Sequence, residues 1–332
     1  MCTILEPVNH HGTPLSPFPL FLSIILSFDF KDLTGYIPSE LGKISTLTHL
    51  YLDKNVLRGG LPDEFANLAN LELVGLHENY LEGALPDMSK WTKLRALYLD
   101  DNELSGELPT SIGAMVSLTD LRLNGNRFYS SIPSEIGNLK ALEEMYMQQN
   151  TFSGSLPSEM SKLTSLREMQ LYDNRISGQI PSDMFSNMVE LEVAYLDHNT
   201  LSGPLPRTWG CKGLRHLYVQ NNKLESELPE DLGSLQQLMS LRLNDNGFVG
   251  TVPESWSRLT SLDHLYVNNN ELGGNIPTGL SGLTSLVKMR VHGNKFSGSV
   301  PSSICELSLV ELQADCAGDK PAVQCECCTE CY

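Results

Sequence analysis

The sequence predicts an α/β fold: a right-handed solenoid of about twelve repeats of ~24 residues, with one parallel β-sheet on its concave side. Short helical or 3-10 segments cover the convex side and a disulfide-stapled cap closes the C-terminal end. Three observations predict it. One template, L-x-x-N-x-L-x-G-x-L/I-P, recurs along nearly the whole chain, as in YLDDNELSGELP (98–109), LDHNTLSGPLP (196–206) and YVQNNKLESELP (218–229). The apolar residue before x-G falls at Leu33, Leu57, Leu81, Leu104, Phe128, Phe152, Ile176, Leu201, Leu224, Phe248, Leu272 and Phe296, so no unrelated domain fits between copies. Six of the eight cysteines lie between Cys305 and Cys331. The expected organisation is therefore an N-terminal segment over 1–22, a solenoid over 23–304 and a cysteine-rich cap over 305–332.

The strand comes first in each repeat. Segments such as LRALYLDDN (94–102) and LRHLYVQNN (214–222) carry apolar residues three and then two positions apart, the alternation of a short strand with one face turned inward. Strands separated by a crossover pair in parallel at about 4.8 Å, and such crossovers are right-handed. With 41% hydrophobic but only 7% aromatic residues, a long aliphatic core suits the composition.

Asparagine follows the strand at Asn55, Asn79, Asn102, Asn126, Asn150, Asn174, Asn199, Asn222, Asn246, Asn270 and Asn294, with Lys31 at the equivalent place in the first repeat. An inward-turned amide both donates and accepts, so a stack of them satisfies backbone groups where the chain leaves the sheet. A ladder of identical residues is what stacked repeats need, which favours a structural role over a polar binding track.

Next comes the corner. Proline stands five residues past every anchor, from Pro38 to Pro301, and glycine two past, replaced only by Ser130 and Ser226. Proline donates no ladder bond and glycine accepts positive φ, so this segment turns toward the convex side. The apolar positions beyond it, including Trp209 and Trp256, read as core, and Cys211 in the last apolar row reads as a buried small hydrophobe.

Outward-facing strand positions are free of packing duty. One row reads Tyr51, Gly75, Tyr98, Arg122, Tyr146, Gln170, Tyr195, Tyr218, Arg242, Tyr266, Arg290. Tyrosine offers contact area at little entropic cost and arginine a planar fork for carboxylates, the composition of a binding hot spot. Tyr172 flanks this stripe, with Asp53, His77, Asp100, Asp197 and His292 in its row and His49, His216 and His264 on the other side. The alternative is that tyrosine is here only a good β-former lying on its neighbours.

The strings LRALYLDDNELSGELP (94–109) and LVKMRVHGNKFSGSVP (286–301) resemble the plant-type leucine-rich repeat, and the resemblance covers about residues 23–316. It implies a horseshoe that recognises a protein or peptide, in receptor-like ectodomains with a co-receptor or, alternatively, in secreted inhibitors of cell-wall carbohydrate hydrolases such as polygalacturonase. It implies no cofactor. The chain carries no nucleophile elbow, Walker loop, HExxH or kinase signature, and its acids lack EF-hand spacing, so neither an enzyme nor a metal centre is expected. A net charge of −17 argues against nucleic acid and anionic membrane as partners.

The ends need separate treatment. The family usually opens with a cysteine-paired cap, whereas the first thirty residues here hold only Cys2. The apolar run FPLFLSIILSF (18–28) is too short to span a bilayer and reads either as a degenerate first coil or as the remnant of a signal peptide. At the other end Leu307, Val310 and Leu312 keep strand spacing, with Asp315 in the asparagine place. Cys305, Cys316, Cys325, Cys327, Cys328 and Cys331 stand where a solenoid must cover its last edge, so disulfides are expected, with an open pairing. Zinc is the alternative, against which Cys-Glu-Cys-Cys lacks paired C-x2-C spacing. The tail also resembles the cap of leucine-rich-repeat proteins from diatom-like algae. Disulfides place the chain outside the cell or in a lumen, or as an ectodomain at a membrane, although no Asn-x-Ser/Thr sequon supports secretion and a cytoplasmic location is the alternative.

Overall fold

The computed structural model describes residues 23–307, 309–318 and 321–332; the expected N-terminal segment over 1–22 lies outside them. Among the described residues the concave face is a single sheet of fourteen parallel strands that follow one another in chain order. Its first twelve strands, from Ile24–Ser27 to Lys288–Arg290, belong to twelve coils. Of the run 18–28, the described part joins the sheet: Ile24–Ser27 pairs with Leu47–Tyr51, and Leu26 is buried.

One apolar core runs from Leu26 to Val323. The inward strand residues Leu97 and Leu99, the anchor Leu104 and the convex Ile112 are all fully buried, and their equivalents stack on them coil after coil. Trp91 and Trp256 are fully buried too, donating their indole N–H to the carbonyls of Phe65 and Pro229 at 3.0 and 3.1 Å. Cys211 is buried and free, and burial pushes its thiol up to about 11, so it packs as an inert hydrophobe.

The asparagine ladder joins each coil to the one before. Asn150 Nδ2 donates to the carbonyls of Met147 and Gln148 in its own coil and of Leu123 in the preceding one, while its Oδ1 accepts the Phe128 N–H at 3.0 Å. The same four bonds recur at Asn102, Asn126 and Asn270. The residue just before each ladder asparagine takes left-handed φ, between 51° and 56° at Lys54, Glu78, Asp101, Gln149, Asp173, His198, Asn221, Asp245 and Asn269, with Gly125 and Gly293 completing the row. That conformation swings the asparagine N–H onto the next coil, as with Asn102 N–H on the Gly125 carbonyl.

Beyond the corner, eight of the prolines open a five-residue 3-10 helix, as in Ser134–Asn138 after Pro133. Neighbouring helices approach so closely that a Cβ on Gly137 would lie 2.4 Å from the Glu159 carbonyl oxygen. Between strand and helix the anchor segment forms a second row of parallel strands that the sequence reading treated only as a corner. It comes in three pieces, of six strands up to Phe152, three from Ser177 to Leu224, and four from Val249 onward. With two to five residues and at most two, adjacent, apolar positions per strand, this row has no alternation for sequence inspection to detect.

The cap differs from expectation in register. The thirteenth strand, Glu311–Ala314, aligns Leu312 with Met289, so the inward residues are Leu309, Leu312 and Ala314 while Val310 is 71% exposed. Leu307 and Val310 therefore do not hold the strand positions assigned to them. Asp315 lies two residues ahead of the asparagine place, and its carboxylate accepts the Gly293 and Asn294 N–H groups at 2.8 and 3.3 Å, replacing the carbonyls a following coil would supply. The tail then returns so that Glu330–Cys331 pairs in parallel with Gln313 and Ala314. Disulfides Cys305–Cys327, Cys316–Cys331 and Cys325–Cys328 hold it there.

Two outcomes follow. Asn150→Leu strands the Phe128 N–H in the core and leaves the Leu123 carbonyl with Asn126 as its remaining amide donor, and a loss of about 2 kcal/mol is expected in urea unfolding, from ~1–3 kcal/mol per orphaned group. Replacing Cys305 and Cys327 by Ala opens a 22-residue loop, and a loss of about 3 kcal/mol is expected, with amide exchange accelerated over 288–314 and unchanged near Asn150.

Candidate functional site

Because the ladder holds every coil in the same register, outward residues at equivalent positions lie side by side on the concave sheet. Tyr98 pairs with Arg122 and Arg122 with Tyr146; further on Tyr195, Tyr218, Arg242, Tyr266 and Arg290 pair in turn. The side chains stack as well as align. The Arg122 guanidinium lies 4.9 Å from the Tyr98 ring centre and 5.2 Å from that of Tyr146. Tyr195 and Tyr218 are stacked at 4.4 Å, Tyr172 meets Tyr195 edge-on at 6.5 Å, and Arg242 lies 4.3 Å from Tyr218 and 5.4 Å from Tyr266. Arg290 covers the other face of Tyr266 at 4.4 Å, leaving that tyrosine only 8% exposed.

Two residues interrupt the row. Gln170 stands between the two stacks and bonds to Glu168, which also accepts the Tyr146 hydroxyl at 2.8 Å. Gly75 separates Tyr51 from Tyr98, because a Cβ there would lie 2.5 Å from the Asp53 carboxylate. Asp53 in turn holds His77 through its Nδ1 at 2.8 Å. Tyr51 thus stands apart, stacked loosely on His49 at 6.1 Å.

The arginines differ in charge compensation, which the sequence reading missed. Arg122 forks onto Asp120 at 3.0 and 3.1 Å and reaches Glu144 at 3.2 Å. Arg290 pairs with Glu311. Arg242 has no ion pair among the described residues, since Ser240 stands where the fifth coil has Asp120 and His264 where the sixth has Glu144. The signal was present as a row of acids flanking the stripe, Asp120, Glu144 and Glu168. Burial and neighbouring acids raise the phenols of Tyr98 and Tyr195 to about 12, so both are neutral donors near neutral pH. Burial likewise raises the carboxyls of Asp100 and Asp197 and lowers the imidazoles of His216 and His292.

The surface offers stacking faces, phenolic donors and guanidinium groups, which is chemistry for binding. The sulfurs of Cys316, Cys325 and Cys328 lie within 4.8 Å of one another, but all three are committed to disulfides, so they form no thiolate set for zinc. No helix among the described residues is long and apolar enough to cross a membrane.

Comparison with known proteins agrees with this architecture. A family described as a leucine-rich repeat region matches residues 77–201, a second leucine-rich-repeat family matches 236–296, and a third matches 46–68 and 213–235. No curated protein matches the chain by sequence. Among solved structures, the chain is similar to the ectodomain of the Arabidopsis receptor kinase HAESA with an N-terminally extended IDA peptide hormone: 30% identity, TM-score 0.77, covering 91% of this chain and 54% of that one. It is also similar to the PEPR1–AtPEP1 complex (30%, 0.72, 90% and 46%) and to the plant peptide hormone receptor RGFR1 in complex with RGF2 (29%, 0.69, 86% and 53%). The chain spans about half the length of each of these proteins. Repeat template, sheet topology and sequence matches converge on one assignment: the chain belongs to the leucine-rich-repeat family.

Proposed function

We propose that the protein is a non-catalytic recognition scaffold that binds an extended peptide, or an extended segment of a protein, along the concave Tyr/Arg stripe. The observation that carries this reading is the ridge from Tyr98 to Arg290, in which rings and guanidinium groups are already stacked face to face. Side chains held in place before a ligand arrives lose little entropy on binding, which is one of the costs an interface must offset. Eight strand spacings of about 4.8 Å give the ridge a span of ~38 Å, which about eleven extended residues cover.

The similar structures support the same reading, since HAESA and RGFR1 are described in complex with peptide hormones. In another HAESA structure the peptide is held together with the co-receptor SERK1, and on that ground a co-receptor belongs to the proposal. The three disulfides of the cap favour an extracellular or lumenal setting.

The test is a selection from a displayed library of random twelve-residue peptides. The unaltered protein is expected to enrich binders, and the combined variant Tyr98→Ala, Tyr146→Ala, Tyr218→Ala to enrich none while melting within a few degrees of it. A variant that unfolds would show that the tyrosines serve the fold, and a folded variant that still selects the same peptides would move the site elsewhere.

A further inference from the structure

Five of the six half-cystines of the cap pack against the end of the core, and Cys331 alone stands exposed. Its partner Cys316 lies further in, where the sulfurs of Cys316, Cys325 and Cys328 sit within 4.8 Å of one another. Two disulfides, Cys316–Cys331 and Cys325–Cys328, are thus neighbours through the Cys316 sulfur. What the first of them fastens is the last strand of the concave sheet.

Apart from that bond, few contacts hold Glu330–Tyr332 in place. The Tyr332 N–H donates to the Ala314 carbonyl and the Ala317 N–H to the Tyr332 carbonyl, both at 3.0 Å, while Gln313 donates to the Glu330 carboxylate at 2.8 Å. The Tyr332 ring stacks on His292 at 4.0 Å. Glu330, Cys331 and Tyr332 are all exposed, so water competes for each of these bonds and the disulfide is the main restraint. Disulfides exchange when a thiolate attacks one sulfur and expels the other, and access helps decide which sulfur is attacked. An external thiol therefore enters at Cys331 and expels the Cys316 thiolate. That thiolate is set free beside a second disulfide, where exchange is intramolecular and needs no further encounter.

We propose that the cap is a thiol–disulfide exchange site whose co-reactant is a small thiol, with Cys331 as the point of entry and Cys316 as the relay. The sulfur of the small thiolate bonds to the Cys331 sulfur as the Cys316–Cys331 bond breaks, and the electron pair leaves on Cys316. Cys316 then bonds to Cys325 or Cys328 as the bond between those two breaks. The cysteine released keeps the electron pair and takes the proton that the small thiol gave up. One thiol is consumed and one protein thiol appears, so the exchange requires neither oxidant nor reductant. Cys305–Cys327 anchors the tail throughout, while Glu330–Tyr332 comes away, uncovers His292 and leaves Glu311–Ala314 as the open edge of the sheet. The exchange is independent of what the concave stripe binds.

The test treats the folded, unaltered protein with cysteamine near neutral pH, traps free thiols with N-ethylmaleimide and maps the products by mass spectrometry without reduction. Cleavage after Glu326 and Glu330 separates Cys325, the Cys327–Cys328 pair and Cys331 onto different peptides. The first product is expected to gain the mass of one cysteamine on Cys331 and one maleimide on Cys325 or Cys328, with the other of those two linked to Cys316. Amide exchange in that product should lose protection over 311–314 and 329–332 and stay unchanged near Asn150. Maleimide on Cys316 with Cys325–Cys328 intact would show that no relay occurs and overturn the proposal. So would cysteamine entering first at Cys305 or Cys327, no reaction while the protein stays folded, or a relayed product whose tail keeps its protection.

Discussion

The asparagine amide at the end of each concave strand is the interaction on which the rest of the molecule depends. A parallel strand of three residues leaves backbone groups with no ladder partner where the chain turns away, and these lie inside the core rather than in water. Asn126, for example, answers the Leu104 N–H and the Leu99 carbonyl of the preceding coil while closing on Leu123 and Asn124 of its own. One side chain therefore satisfies the turn and locks two coils into register. It sets a backbone requirement as well, since the preceding residue must be left-handed, and nine such positions hold residues other than glycine. Each of those residues is held in a sparsely populated conformation, so the stacked coils must over-determine it.

Register is also what turns a composition into a surface. Tyr98, Arg122 and Tyr146 are more than twenty residues apart in sequence, and they form one stack only because no coil slips against the next. The tyrosines serve packing and presentation at once: they lie on neighbouring side chains, as good β-formers do, and all but the buried Tyr266 stay partly exposed along the concave face. The contrast between coils lies in the acids beside them. Where Asp120 and Glu144 neutralise Arg122 the stripe is internally complete, and where Ser240 and His264 stand instead it is open.

What was legible in the sequence was whatever repetition amplified. The ladder asparagines, the corner prolines and the tyrosine stripe each appear many times, so a weak local preference becomes a visible column. Features that occur once were not legible. The last strand shifted by two residues because disulfides and a returning tail, rather than another repeat, decide its position; Thr329 fills the edge by bonding both the N–H and the carbonyl of Leu312. The lateral strands escaped because none of them carries apolar residues at alternating positions. Charge compensation along the stripe escaped for a different reason: it depends on pairs of neighbouring columns read together, Asp120 with Arg122 and Glu311 with Arg290, and not on any one column.

The lateral row of strands is continuous in three pieces, and only single bridges, Ser155 with Ser177 and Glu227 with Val249, span the gaps between them. The concave sheet has no such gaps and behaves as an inextensible spine. Bending compliance then concentrates at two seams on one flank. The first lies between the sixth and seventh coils, where Gln170 parts the Tyr98–Arg122–Tyr146 stack from the Tyr195-to-Arg290 stack. The two halves of the ridge thus meet where ring stacking and lateral pairing are both interrupted, although the concave strands stay paired through Gln170.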